Sequence, residues 1–212
     1  MPELFVITGS NGAGKSTIGP IYFPPHLQNV FDGDKLYLQK RSELWRSGIR
    51  VQRELNSQAS DFVDSTFESL VNNAISNSID FAYEGHFSQD NSWEPLQRFK
   101  DAGYYLHMVF FGLDNVDISS DRVLIRAKEG GHNVDPLTLR DNYFGNLHQV
   151  DRRFLIFDSL KIIDTSEMEH RDLIFILNGN IREFLPLSEQ PCWLLENMPN
   201  ISNLLGKSIS ER

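Results

Sequence analysis

Nine residues near the amino end have the types and the spacing that bind the phosphates of a nucleotide. They are, in order, Gly9, Ser10, Asn11, Gly12, Ala13, Gly14, Lys15, Ser16 and Thr17. The first eight match the phosphate-loop pattern G-x-x-x-x-G-K-[ST], in which glycines let successive backbone N–H groups point at phosphate oxygens. In that pattern Lys15 reaches the terminal phosphates and the Ser16 hydroxyl is a ligand of Mg²⁺. The run therefore predicts a nucleoside-triphosphate site; an ordinary glycine-rich turn is the alternative.

Acidic residues follow the next two predicted strands. Asp34 comes just after the strand predicted at 29–31, and Glu84 and His86 follow the one predicted at 79–83. Because ligands of an open parallel sheet bind beyond the carboxyl ends of its strands, we expect these side chains beside the phosphate loop. Two alternatives stay open: Asp34 is a solvated or capping residue, and Glu84 belongs to a structural ion pair.

Arginines on two predicted helices are placed to close over a triphosphate. Arg122 and Arg126 are four residues apart and therefore share a helical face, and Arg140 follows the Gly130-Gly131 pair. Phosphoryl transfer needs positive charge around the equatorial oxygens of the transferred group. The pattern predicts a glycine-hinged lid over residues 119–145, although such a pair of arginines is often only a solvated helix face.

The order of the elements tells how these side chains are positioned. An apolar run at residues 4–7 leads into the loop, and strands alternate with helices after it, as in a parallel sheet flanked by helices. Ser119 or Ser120 is the expected cap of one helix, and Asp135-Pro136 is the start signal of another. Asn178-Gly179 predicts a hairpin. We expect one α/β domain over 1–212, with a hairpin and tail at 171–212; the tail beyond Pro186 is mixed and partly polar, and its end is expected to fray.

Composition narrows the class of protein. The 212 residues carry a net charge of −9, which argues against broad binding to nucleic acid. The single cysteine, Cys192, fits a reducing compartment, and residues 1–30 lack the features of a signal peptide. We therefore expect a cytoplasmic protein that does not bind membranes. His26, His107, His148 and His170 have no spacing that indicates a metal site.

Three segments together resemble the zeta-toxin-like P-loop kinases, in particular a chromosomal group often labelled predicted ABC-type ATPases. They are 7–17 (ITGSNGAGKST), 32–35 (DGDK) and 126–134 (RAKEGGHNV). The third is the most specific, and the resemblance covers about the first 165 residues. It implies a kinase-type P-loop fold with a central, mainly parallel sheet. It also implies ATP-dependent phosphorylation of a small-molecule hydroxyl, which in zeta toxins proper belongs to UDP-N-acetylglucosamine.

The resemblance also assigns roles to residues of this chain. Asp34 matches the acid that accepts the proton of the substrate hydroxyl, and Lys15 and Ser16 match the phosphate lysine and the Mg²⁺ ligand. Arg126 and Arg140 match the lid arginines that hold the transferring group.

Substrate contacts are expected at Glu84, His86 and His132. Gly85-His86 stands where the family commonly has two threonines, and Asn142 stands where it often has an arginine. Both departures bear on which acceptor is taken.

Two other functions stay open. One is an ATPase or nucleotide-dependent switch that acts on a protein partner, although neither an ABC-type signature nor an N-K-x-D motif is present. The other is a nucleic-acid end kinase on the same scaffold, which the acidic net charge disfavours. An antitoxin-like partner is also left open.

Overall fold

The computed structural model describes residues 1–27, 30–128 and 134–210. Its centre is a seven-stranded sheet in the order β2-β3-β1-β4-β5-β6-β7. The strands are β1 (Glu3–Gly9), β2 (Phe31–Asp32), β3 (Phe81–Glu84), β4 (Tyr105–Gly112), β5 (Ser159–Asp164), β6 (Arg171–Leu177) and β7 (Asn180–Phe184). The first five strands are parallel to one another, and β6 and β7 are antiparallel additions at one edge, where β6 pairs with β5. The mainly parallel sheet expected from the sequence is confirmed.

Helices cover both faces of this sheet. They are α1 (Lys15–Ile18), α2 (Gly33–Arg46), α3 (Gln52–Asn77), α4 (Glu94–Asp101), α5 (Val116–Lys128), α6 (Pro136–Arg153), α7 (Cys192–Asn197) and α8 (Pro199–Ser210). The core lies between the helices and the central strands, where Leu4, Val6, Leu106 and Phe110 are at most 1% exposed. Burial on both faces explains why these strands are near-continuous apolar runs. Within the described ranges, none of the helices combines the length and the apolar character required to cross a membrane.

Aspartate side chains cap the first turns of helices α2 and α6. The Asp32 carboxylate accepts the Lys35 N–H at 2.9 Å at the start of α2, and Asp135 accepts the Thr138 N–H at 3.0 Å at the start of α6. The start signal read at Asp135-Pro136 is therefore confirmed. Each cap satisfies one of the donors that the first helical turn leaves unpaired.

The cap expected at Ser119 or Ser120 is wrong. Helix α5 begins at Val116, and Asn115 Oδ1 accepts the N–H groups of Asp117 and Ile118, both at 3.0 Å. Asn115 is as good a capping residue as serine, and it lies earlier in the chain, so the helix begins there. Ser119 lies one turn inside the helix and is buried against the phosphate loop.

The hairpin is confirmed, and the tail is helical as far as Ser210; the last two residues, where the frayed end is expected, lie outside the described residues. Strands β6 and β7 are joined at Asn178 and Gly179, which have φ angles of 50° and 73°. Beyond Pro186 the chain forms α7 and α8, and Trp193, Leu194 and Ile201 are at most 2% exposed. The Trp193 ring packs on Gly112 so closely that a Cβ there would lie 2.1 Å from it. The tail is therefore part of the core.

Candidate functional site

The phosphate loop is shaped by backbone conformations that glycine adopts most easily. Gly9, Gly12 and Gly14 have φ angles of 143°, 74° and 82°. At Gly9 a Cβ atom would lie 2.2 Å from the backbone oxygen of Phe111, because β1 and β4 approach each other there. Gly14 precedes α1, so the first turn of that helix faces the loop. This is the anion-binding arrangement that the sequence pattern predicts.

Neighbouring elements hold the loop from outside. Ser119 Oγ on α5 donates to the Asn11 backbone oxygen at 2.6 Å, and Thr165 Oγ1, just after β5, donates to the Ala13 oxygen at 3.0 Å. Arg122 donates to the backbone oxygens of Gly12 at 3.2 Å and Thr165 at 2.8 Å. Its guanidinium group is therefore engaged in fixing the loop.

Lys15 is buried inside the loop that it follows. Its Nζ donates to the backbone oxygens of Gly9 and Ser10, both at 3.0 Å, and lies 3.9 Å from Glu84 Oε1. Burial lowers the pKa of Lys15, while the carboxylates of Glu84 and Asp34 act in the opposite direction. The ammonium group is thus held close to where a terminal phosphate would lie.

Glu84 stands at the end of β3, directly beside β1, in register with Ile7. Its Oε2 accepts the Ser16 hydroxyl at 2.9 Å. Burial raises the pKa of Glu84; Lys15 and the Ser16 hydroxyl lower it, and Asp32 and Asp34 raise it further. A hydroxyl and a carboxylate side by side form a hard-oxygen donor set of the kind that Mg²⁺ prefers.

Two adjoining cavities meet at the acidic residues. One, of about 410 Å³, is lined by the loop together with Asp34, Lys35, Glu84, Arg122 and Arg126. The other, of about 270 Å³, is lined by Asp32, Gly33, Asp34, Tyr37, Ser60, Val63, Glu84, Gly85 and His86. Asp34 and Glu84 border both cavities. The arrangement therefore offers a phosphate compartment and a second compartment, with carboxylates at the boundary between them.

His86 lies between the phosphate loop and α6. Its Nε2 is 3.5 Å from Asn11 Nδ2, and its Nδ1 is 3.5 Å from Asn146 Nδ2. Burial lowers the pKa of His86 well below its usual value, and the positive charges of Lys15 and Arg126 lower it further. The imidazole is therefore neutral near pH 7 and adds no positive charge to the second compartment.

The two expected lid arginines are placed differently. Arg126 is exposed and borders the phosphate compartment. Arg140 lies on the exposed side of α6, with its guanidinium carbon 5.5 Å from the centroid of the Phe144 ring, and it is not among the described residues that line the cavity. His132 and the Gly130-Gly131 hinge lie outside the described residues.

Sequence reasoning missed the buried amide of Asn146 on α6 and the contact of Asn142 with the phosphate loop. Asn146 is fully buried, and Asn142 Nδ2 donates to Asn11 Oδ1 at 2.9 Å. One signal was available: Asn146 falls on the same helical face as Leu139, Tyr143 and Val150, and a polar residue on an apolar face must find partners there.

Comparison with known proteins supports the fold. No family model matches the chain. An uncharacterized protein of Haemophilus influenzae is 29% identical over 126 residues, which are 58% of this chain and 80% of that protein. The chain of the PezAT chromosomal toxin-antitoxin system of Streptococcus pneumoniae superposes with a TM-score of 0.62 and 19% identity, over 97% of this chain and 87% of that one.

The AvrRxo1-ORF1:ORF2 complex is similar as well. Its structure with ATP gives a TM-score of 0.68 and 16% identity over 96% of this chain. This chain spans 63% of the length of that AvrRxo1 chain. At such identities the likeness shows a shared fold. The chain therefore shares the α/β fold of the PezAT and AvrRxo1 chains, with its phosphate loop directly after β1.

Proposed function

We propose that this protein is an ATP-dependent kinase that transfers the γ-phosphoryl group to a hydroxyl of a small molecule. The observation that carries the proposal is the convergence of Lys15, the Ser16–Glu84 pair and Asp34 on one cleft beside the phosphate loop. A nucleotide-binding loop alone would serve many functions. The second compartment across the carboxylates favours transfer to an acceptor.

The cleft fits ATP and Mg²⁺. The loop from Gly9 to Thr17 curls as a cradle in which a Cβ at Gly9 has no room, and the AvrRxo1 complex of the same fold was solved with ATP. Ser16 and Glu84 would hold Mg²⁺ together with phosphate oxygens, since Mg²⁺ takes few protein ligands. When bound, the ion neutralises charge on the phosphates of the nucleotide.

Asp34 is the proposed general base. It lies in the first turn of α2, on the border of both compartments. It accepts the proton of the acceptor hydroxyl as that oxygen bonds to the γ-phosphorus and the bond to ADP breaks. Lys15, Arg126 and Arg140 supply positive charge to the transferring group; Arg140 would have to move from its place beside Phe144 to do so.

The second compartment, of about 270 Å³, is the proposed acceptor compartment. Glu84, His86 and His132 are its proposed substrate contacts, and a sugar nucleotide is the first acceptor to test because of the resemblance to zeta toxins.

The one-domain organisation over 1–212 and the cytoplasmic setting stay predictions.

The experiment is an untargeted metabolite screen with γ-labelled ATP. Wild type should label one compound or class, and Asp34→Asn should bind ATP with wild-type affinity while transfer falls by about 10³-fold or more. Asp101→Asn, an exposed acid at the end of α4, is the matched control and should transfer normally. Loss of both binding and transfer in Asp34→Asn, or of neither, contradicts its role as the base.

A protein partner is the second candidate. Two of the similar structures are the AvrRxo1-ORF1:ORF2 complex and a chain of the PezAT toxin–antitoxin system. These comparisons support a partner protein for this chain. An ATPase switch that acts on such a partner is therefore the alternative to the kinase. ATP hydrolysis that is equally fast with and without the metabolite pool would favour the switch over the kinase.

A further inference from the structure

A buried amide joins three elements around the cleft. Asn146 is 0% exposed, and its Oδ1 accepts the Thr8 hydroxyl at 2.9 Å and the Phe87 backbone N–H at 2.7 Å. Its Nδ2 donates to the Asn142 backbone oxygen at 2.6 Å. The carboxamide therefore ties together the end of β1, the segment after β3 and the middle of α6.

A second amide extends the same network into the phosphate loop. Asn142 Nδ2 donates to Asn11 Oδ1 at 2.9 Å, and Asn142 Oδ1 accepts the Ser88 hydroxyl at 3.1 Å. His86 contacts Asn11 on one side and Asn146 on the other. Helix α6 therefore contacts both the phosphate loop and the segment from Glu84 to Ser88, which borders the acceptor compartment.

Packing reinforces this link without any polar group. At Gly145, between the two amides, a Cβ atom would lie 2.6 Å from Ser88 Cβ and 3.0 Å from the Ser88 backbone. Helix α6 thus touches the segment after β3 at backbone distance. A displacement of the helix there would act directly on Ser88 and the segment that leads to it from His86.

We infer that Asn146 is a positioning residue that aligns the acceptor side of the cleft with the phosphate loop. This inference rests on the proposed kinase function. The phosphate loop has further anchors in Ser119, Thr165 and Arg122, whereas the described polar side chains that tie the 86–88 segment to α6 belong to Asn146 and Asn142. Loss of Asn146 should therefore impair transfer far more than nucleotide binding.

The test uses the full chain, ATP with Mg²⁺, and the acceptor found in the labelled screen. In Asn146→Ala, kcat should fall about 10- to 100-fold, because small displacements of reacting groups have large effects on rate. The Kd for ATP should stay within about threefold of wild type, since the loop keeps its other anchors. Gly145→Ala should give the same pattern by steric displacement, and Thr8→Val, which removes one bond, a weaker form of it.

The control is Gln190→Ala. Gln190 is also a buried amide, 7% exposed, but it donates to Leu185 O at 2.8 Å near the terminal hairpin. Its loss should lower the melting temperature and leave kcat unchanged. If Gln190→Ala lowers kcat as much as Asn146→Ala does, or if kcat and ATP affinity fall together in Asn146→Ala, the inference is wrong.

Further measurements apply if Asn146→Ala does not fold or if no acceptor is found. If Asn146→Ala does not fold, Gly145→Ala and Thr8→Val decide the question by the same readouts. If wild type binds ATP but phosphorylates nothing, the proposed function fails, and the alignment is judged from the His86 imidazole NMR signal, assigned by its loss in His86→Gln. An unchanged His86 signal in both Asn146→Ala and Gly145→Ala would overturn the inference.

Discussion

The two sides of the cleft are built in opposite ways. The phosphate loop is enclosed by β1, β4, α5 and α6, and Ser10, Asn11 and Lys15 are at most 7% exposed. On the other side, α2 carries Asp34 and Lys35 into the cleft, yet no residue of that helix is buried. The side that carries the phosphate loop is therefore preorganised by the core. The side that carries the proposed base is α2, an exposed helix that packs on α3 and is called the arm below. Such an arrangement fixes one reactant while the other side can adapt to its ligand.

The largest effect should come from the centre of the preorganised side. Lys15→Met removes the buried ammonium group that faces the terminal phosphates. We expect transfer to fall by about 10³-fold, with weaker ATP binding, because a positioned charge is lost in a site shielded from water. Steady-state transfer and ATP titration measure the two effects. Lys35→Met on the arm is the comparison and should affect ATP affinity much less; equal losses would refute the contrast between the two sides.

A second prediction concerns the backbone of the same side. Gly9→Ala should lower the free energy of unfolding by about 3 kcal/mol or more, because the new Cβ would lie 2.2 Å from Phe111 O at a φ of 143°. Chemical denaturation measures it. Gly206→Ala in α8, where a Cβ meets nothing within 4 Å, should be neutral or stabilising by about 1 kcal/mol. Wild-type stability of Gly9→Ala would show that the loop yields more readily than its packing indicates.

The neutral His86 makes stability depend on pH. Because burial lowers its pKa in the folded state, the unfolded chain binds more protons below about pH 6.5, so His86 contributes stability above that pH that is lost as the pH falls. Between pH 7.5 and 5.5 wild type should lose more stability than His86→Gln does. Parallel denaturation curves at the two pH values measure this difference. Identical losses in both proteins would mean that the imidazole is not held neutral.

The smallest effect on stability should come from the arm. Trp45 is 45% exposed at the end of α2, and Arg50 stacks on it at 4.4 Å. Trp45→Ala should lower the free energy of unfolding by about 1 kcal/mol or less, since little area is buried and the stacking pair is exposed. Trp193→Ala, which empties a site 2% exposed, should lower it by about 3–5 kcal/mol. A large loss for Trp45→Ala would place the arm within the cooperative core.

The contrast also explains which features the sequence predicts. The apolar run before Gly9, the Asp135 cap and the Asn178-Gly179 turn are local patterns, and the structure contains all three. The start of α5 was misplaced because Asn115 and Ser119 are both good caps, and only the docking of Ser119 onto Asn11 distinguishes them. The order within the tail depends on Trp193 meeting Gly112, a contact between distant positions. Asn146 was missed for the same reason, since its partners come from β1 and the segment after β3.

The contact of Trp193 with Gly112 connects helix α7 to the strand end beside the phosphate loop. Gly112 O accepts both the Thr165 N–H at 2.9 Å and Thr165 Oγ1 at 3.0 Å, and the same hydroxyl donates to Ala13 O. A protease that removed residues 193–212 would therefore expose the end of β4, which is hydrogen-bonded through Thr165 to the phosphate loop. Protein preparations should be checked for loss of this segment before weak activity is attributed to the proposed cleft.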